Sequence, residues 1–326
     1  ADQNTLTSDG KTILHLASIK GYTALVELLV ARGMNINARD NDGNTPLFYA
    51  VLHGNKKVAD LLKKNGATAE GLEKTVGSSP LLKKELNDGE AAIWYLGHSA
   101  YAVKTKNHFL IFDYVEYTHL PDEPCLANGH INADEISDQN VYVFVTHAHS
   151  DHYDSIIFDW TKSVKNITYI FGWQVFEDSE YVYMGPRTAK RLDDLEIETI
   201  HSPEAGEPES NFLVKVDGLV MYHGGGYSHD SSIIDIYNKD VEYLATTTGR
   251  IDIVFAKIGT TWINEEAFFL LEAVQPNVMF PSHAREREST YEDFAQEASL
   301  RYSKSTIVWA ENRGDRFIYT EGSIKK

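Results

Sequence analysis

Between Thr146 and Asp154 the chain reads THAHSDHYD, which sets three histidines and two aspartates in nine residues directly behind the apolar run VYVFV. A strand sends alternate side chains to opposite faces, so a cluster this dense at its end marks a turn on which the imidazoles converge. Converging imidazoles and a carboxylate are the ligands of a divalent cation. Burying them together without one would strand several polar groups. His53, His119 and His130 stand alone in the sequence, and lone histidines ordinarily serve as hydrogen-bonded surface or core residues.

The elements that must position this turn begin near Glu90, where strands alternate with turns and helices. AAIWYLGHSAYAVKTKNHFLIFDYV reads as two or three strands, with Asn107 near a hairpin turn and Asp113 closing FLIF. NFLVKVDGLVMYHGGG is a hairpin about Asp217-Gly218, a dipeptide suited to the positive φ angles of a tight turn. IDIVFAKIG and NVMFPSH are short apolar runs fit for buried strands, with the helix-like NEEAFFLLEAV between them. Strands interleaved with helices predict a layered α/β domain.

HAHSDH, His147 to His152, resembles the HxHxDH signature of the metallo-β-lactamase fold. The setting agrees in order: Gly97-His98 after an early strand, Asp113 at a strand end, His201 at a later one, and His283 in a terminal Pro-Ser-His. The resemblance covers about residues 90–326 and is nearest the branch of L-ascorbate-6-phosphate lactonase and the N-acyl-phosphatidylethanolamine-hydrolysing phospholipase D. It implies an αββα sandwich with a metal site at one edge. His147, His149 and His201 would hold one cation, and three neutral nitrogens leave a tetrahedral position for water. Asp151, His152 and His283 would form the second position, with Asp151 as the catalytic carboxylate. His98, Asp113 and His223 would orient the ligands by hydrogen bonds. Zinc suits a histidine-dominated set, and manganese or iron fits a mixed histidine and aspartate set. The implied activity is hydrolysis of an ester, lactone or phosphodiester in a small molecule by metal-activated water.

One station departs from the family. Relatives read roughly YHAGD, whereas this chain reads YHGGG from Tyr222 to Gly226, so Gly226 stands where a carboxylate would bridge both metals. The loss weakens the less nitrogen-rich second position more, which predicts one tightly held metal and a weak or absent second. His229 or Asp230 are the nearby substitutes. The rival reading is a catalytically impaired metal-binding scaffold that acts through its N-terminal segment. FGWQVFEDSEYVYMGPR brings Phe171, Trp173, Phe176, Tyr181 and Tyr183 as sheet core or pocket wall, and Arg187, Arg285 and Arg287 are candidate anion holders.

That N-terminal segment repeats with an offset of 33: Gly10 with Gly43, Thr12 with Thr45, Ala17 with Ala50, Gly21 with Gly54, Leu28 with Leu61, Gly33 with Gly66. It resembles the ankyrin repeat over roughly residues 5–70, and such arrays carry protein-binding faces. Two units leave an apolar end uncovered, and the helix suggested by SSPLLKKELNDG, with the body of the second domain, is expected to cap it. The domains are therefore drawn as 1–87, all-α, and 88–326. Net charge is −18, with 11 basic against 9 acidic residues up to 87 and 19 against 39 beyond. Such an acidic catalytic part argues against nucleic acid as substrate. The one cysteine, Cys125, admits no intrachain disulfide. No run of about 18 apolar residues spans a bilayer. The chain opens on Ala1, so localisation stays open between cytoplasm and export after removal of a signal.

Overall fold

The computed structural model describes residues 6–7, 10–41, 44–52, 55–68, 80–116, 124–174, 180–202, 209–224, 231–247, 249–259, 264–283 and 287–326. The chain forms two compact units: Ala1–Ser79 with Tyr117–Glu135, and Pro80–Glu116 with Ile136–Lys326.

The first unit holds α1 (Ile13–Ile19), α2 (Thr23–Ala31), α3 (Pro46–Leu52) and α4 (Lys56–Lys64). Thr12 opens α1 with a capping box in which its hydroxyl accepts from His15 N and the His15 ring accepts the Thr12 backbone N–H. Thr45, one repeat on, accepts from Phe48 N in the same way. Leu14, Ala17, Val26 and Leu29 of the first helix pair share a core with Leu47, Ala50, Val58 and Leu62 of the second. Asn55 then ties the two pairs, donating to the carbonyls of Ser18 and Ile19 at 2.8 and 2.9 Å.

In the second unit the strands are β1 (Glu90–Gly97), β2 (Ala100–Lys104), β3 (Phe109–Phe112), β4 (Asn140–Val145), β5 (Asn166–Phe171), β6 (Val182–Tyr183) and β7 (Ala189–Leu192). They continue as β8 (Leu195–Ser202), β9 (Glu209–Val216), β10 (Leu219–Gly224), β11 (Ile253–Lys257), β12 (Val278–Ser282), β13 (Thr306–Ile307), β14 (Arg316–Thr320) and β15 (Ser323–Lys325). One sheet runs β15-β14-β1-β2-β3-β4-β5-β6 and the other β13-β12-β11-β10-β9-β8-β7. Parallel neighbours need crossovers, and α5 (Ser231–Thr247), α6 (Glu265–Val274) and α7 (Ser289–Arg301) supply them in the second sheet. Ring pairs Tyr101–Phe255, Phe144–Phe212 and Phe280–Phe317, with centroids 4.4, 5.2 and 5.1 Å apart, join the two inner faces. The α/β sandwich expected from the sequence is present.

The segment expected to cap the repeats begins with a short 3-10 turn, Pro80–Lys83, which belongs to the second unit. Lys104 of β2 anchors the end of that turn by donating to the Lys84 carbonyl. The second unit thus starts at Pro80 and is interrupted by Tyr117–Glu135, which groups with the first.

Strand direction decides where the chemistry collects. β3, β4 and β5 run parallel, β1 shares their direction through antiparallel β2, and β10, β11 and β12 run parallel in the other sheet. Their C-terminal ends carry His98 after β1, Asp113 after β3, His147 after β4, His223 within β10 and His283 after β12.

Candidate metal centre

Asp113 is the hub. It stands immediately after β3 in a left-handed conformation, φ 47°, with its backbone N–H given to the Phe144 carbonyl. One carboxylate oxygen accepts from Thr146 N at 2.8 Å, and the other accepts from the Thr146 hydroxyl and His152 Nδ1, both at 2.8 Å. These bonds fix two tautomers. An ionised carboxylate only accepts, so His152 carries its proton on Nδ1 and presents the Nε2 lone pair. The Thr146 hydroxyl has spent its proton on Asp113, so it accepts from His147 Nδ1 at 2.9 Å and leaves His147 Nε2 as a second lone pair. That nitrogen is buried and meets no hydrogen-bond partner among the described residues. Burial, reinforced by the neighbouring His152 ring, pushes the His147 pKa down to about 3, so the ring is neutral. Burial pulls the other way on Asp113, but its interactions with the neighbouring His152 and His223 rings, the first of them hydrogen-bonded to it, outweigh burial and hold the carboxyl at about 2.

Beside this hub, the ligand atoms of His98, Asp151, His152 and His283 all lie within 4.8 Å of one another. His98 Nε2 is 3.2 Å from Asp151 Oδ2, His283 Nε2 is 4.0 Å from the same oxygen, and the Nε2 atoms of His152 and His283 are 3.1 Å apart. Hydrogen bonding from His98 is the main cause that holds Asp151 far below the ordinary carboxylate range, and burial lowers the His283 ring. His98 and His283, like Asp113, have positive φ, 51° and 76°. Strained backbone of this kind persists only where its surroundings over-determine it. Here the His98 carbonyl accepts from both His283 N and the Tyr291 hydroxyl, each at 3.0 Å. Tyr291 is aimed there because α7 buries Tyr291, Phe294, Ala295 and Ala298 as one helical stripe. Gly172 closes the floor: a Cβ there would lie 2.4 Å from the Thr146 carbonyl oxygen and 2.8 Å from that of Ser210.

The remaining expected site residues occupy more varied surroundings. His149 is exposed, its ring edge-on to His147 with centroids 4.8 Å apart. His201 is half-buried near the end of β8, with an Nδ1 that meets no hydrogen-bond partner among the described residues. Among those residues, His147, His149 and His201 form no group as tight as the other four. His223 stacks on Phe112 at 4.8 Å and reaches the Ser99 carbonyl through Nε2 at 3.0 Å, a supporting position. His98, expected in support, stands inside the tight group. Gly226, His229, Asp230, Arg285, Phe176, His53 and His119 lie outside the described residues.

Arg187 already has a counter-ion in buried Asp240 and lies over the Tyr243 ring at 4.5 Å, while Arg287 is exposed in the turn that opens α7. Phe171 is buried, Trp173 lies edge-on to both Phe171 and Tyr153, Tyr181 meets Phe171 edge-on, and Tyr183 is exposed. His130 is buried in the first unit. Sequence reasoning missed Tyr291, whose link to His98 spans 193 residues.

The donor set fits a divalent cation: three imidazoles and a carboxylate converge, and beside them, with its ring against that of His152, His147 has a stranded Nε2 that a cation satisfies. Comparisons with known proteins point the same way. Residues 1–70 match the ankyrin-repeat family. Mouse protein phosphatase 1 regulatory subunit 12A is 38% identical over 65 residues, 20% of this chain and 6% of that protein. The tankyrase of Caenorhabditis elegans is 40% identical over 63 residues, 19% of this chain and 3% of that protein. The chain thus spans only a small part of these curated relatives. Among solved structures, a metallo hydrolase from the archaeon Ignicoccus hospitalis superposes with a TM-score of 0.53 at 15% identity, covering 71% of this chain and 99% of its own. A chain from Parabacteroides distasonis described as a metal-dependent hydrolase gives 0.50 at 14%, covering 71% and 97%. At these identities the likeness is one of fold. Residues 92–283, more than half of the chain, match the beta-lactamase superfamily domain, and the chain belongs to that family of metallo-β-lactamase-fold, metal-dependent hydrolases.

Proposed function

We propose that the second unit hydrolyses an ester, lactone or phosphodiester bond in a small molecule, with zinc as the first choice of metal and manganese or iron as alternatives. His147, His149 and His201 are the proposed ligands of one position, and Asp151, His152 and His283 those of the other, with His98 beside them. The observation that carries this reading is Asp113, whose carboxylate fixes the lone pairs of both His147 and His152, the first through Thr146 and the second directly. When bound, a divalent cation polarises the scissile group and lowers the pKa of water toward ~7. The chain's own residues do the rest. Asp151, kept ionised by His98, accepts a hydrogen bond from the attacking water and orients it. His223 and Tyr291 hold the strand ends that carry these groups. The acidic balance beyond residue 87 fits a small substrate rather than a polyanion.

Gly226 favours a second reading, a metal-binding scaffold of reduced activity working through its ankyrin repeats. Elemental analysis paired with a panel of esters, lactones and phosphodiesters separates the two. Stoichiometric metal, with turnover lost on chelation and restored by metal, is expected of the hydrolase. Metal without turnover on every substrate supports the scaffold, and a folded chain that takes up no metal would sink both.

A further inference from the structure

β1 and β12 lead to His98 and His283 at their C-terminal ends; at the opposite ends of the same strands, Glu90 and Asn277 line a cavity of about 620 Å³. Its floor is a closed network. Asn277 Nδ2 donates to Asp252 Oδ1 at 2.9 Å and to the Tyr319 hydroxyl at 2.6 Å, and that hydroxyl donates to Asp252 Oδ1 at 2.7 Å. With both amide hydrogens committed, the amide is oriented and its oxygen is left as an acceptor. Asn277 is 6% exposed, and its Oδ1 is buried with no hydrogen-bond partner among the described residues. Gly322 leaves that amide open to the cavity. In the tight β14–β15 turn Glu321 and Gly322 both have positive φ, 50° and 79°, and a Cβ on Gly322 would lie 3.5 Å from Asn277 Nδ2 and 3.9 Å from Oδ1.

A buried acceptor of this kind calls for a donor, and the charge around it says which. Among the described lining residues, the carboxylates of Asp88, Glu90, Asp252 and Glu321 stand against the one guanidinium of Arg250. Asp88 is paired with Lys106 at 3.0 Å, and the balance stays negative without it. Glu90 accepts from Asn87 N at 2.8 Å, the main cause that holds its carboxyl below the ordinary value, so it is ionised. No three of these carboxylates, among the described residues, bring oxygens within 4.8 Å of one another, so the charge is spread out rather than gathered for a metal ion. The space far exceeds one water's share of about 30 Å³ and suits a small ligand. We propose that this cavity binds a small organic cation carrying primary ammonium groups, a diamine in the simplest case, with one ammonium donating to Asn277 Oδ1 and facing Glu90 and Glu321. This inference is independent of the hydrolase reading.

The test is calorimetric titration of the full chain with 1,4-diaminobutane, Nα-acetyl-lysinamide, 1,4-butanediol and succinate at about 0.15 M salt, where exposed charges are largely screened. Saturable binding of one diamine per chain is expected, with none of the diol or the dicarboxylate. Tighter binding of the diamine assigns a free small amine, and tighter binding of the lysinamide assigns a lysine side chain of a peptide; either supports the ammonium site. Gly322→Asn keeps a residue tolerant of the left-handed turn and sets a side chain over the Asn277 amide, so it should weaken binding about tenfold or more while thermal melting confirms the fold. Glu321→Gln, on the exposed rim, should weaken it about threefold, and Arg250→Gln should tighten it by a similar factor. Failure of every amine to saturate, preference for succinate, or affinity unchanged by Gly322→Asn overturns the proposal. So does uptake of several diamines per chain that Glu321→Gln and Arg250→Gln leave unaltered, since the amines would then only screen an acidic surface.

Discussion

The Nε2 atoms of His152 and His283 face each other at 3.1 Å, although they come from opposite sheets of the sandwich. His152 has committed its proton to Asp113 through Nδ1. Its Nε2 therefore points a lone pair at its neighbour, and the pair is complete only if His283 donates or a cation takes both lone pairs.

Asp113→Asn tests that arrangement. An amide has one acceptor oxygen in place of two and a donor where His152 and Thr146 also donate. Metal affinity should fall about 10–100-fold, measured by competition with a chromophoric chelator while circular dichroism checks the fold. Affinity within twofold of the parent would remove Asp113 from the orienting role.

Tyr291→Phe deletes one of the two donors on the His98 carbonyl. A stability loss of about 1 kcal/mol is expected for one neutral hydrogen bond. If the tyrosine positions the site, the absorption spectrum of the Co²⁺-loaded chain should shift and metal should bind more weakly. Lower stability with spectrum and affinity unchanged would leave Tyr291 a purely structural residue.

Away from the centre, Asp217 gives a pH dependence whose sign is fixed. Its carboxylate accepts from the Thr105 hydroxyl at 2.6 Å, Asn107 N and Nδ2 at 2.8 Å each, and His108 Nδ1 at 2.9 Å. Burial pulls its pKa up, and these bonds outweigh burial and bring it below the ordinary value. A depressed carboxylate contributes stability that is full above its unfolded pKa near ~4 and is lost as pH falls through the folded one. Asp217→Asn keeps a residue tolerant of the left-handed turn and should cost about 1–3 kcal/mol at neutral pH. The difference from the parent should shrink below pH ~4. All five tryptophans lie beyond residue 87, so their fluorescence follows this unit alone during denaturation. A difference that persists unchanged into acid would contradict the account.

Gly226→Asp would supply the carboxylate that the family resemblance implies at this position. Second-metal affinity and turnover should rise together. If the variant folds and neither metal stoichiometry nor turnover changes on any panel substrate, Gly226 is not the vacant ligand station.

Residue types and order made the fold and much of the centre readable: a metal-ligand motif behind an apolar strand, Asp113 and His283 at strand ends, and a 33-residue offset that survives as two helix pairs. Backbone torsion was not readable. Nothing in the types of His98, Asp113 and His283 announces positive φ, yet that geometry turns all three toward His152. Long-range pairing hid the rest. Tyr291 looks like an ordinary apolar helix position until α7 is set against β12, and Arg187 looks like a free anion holder until Asp240 arrives from α5.

Because its parts come from the ends of β1, β4 and β12, the tight group is finished late in synthesis. A ribosome that has made the chain through Asp151 has already built His98, Asp113 and most of the histidine motif, but His283 is still 132 residues away. Premature loading of an unfinished protein would find only part of the donor set. On the proposed ligand assignment the second metal position is complete only once β12 is made, so a chain halted before β12 should lack that position while still carrying His147, His149 and His201.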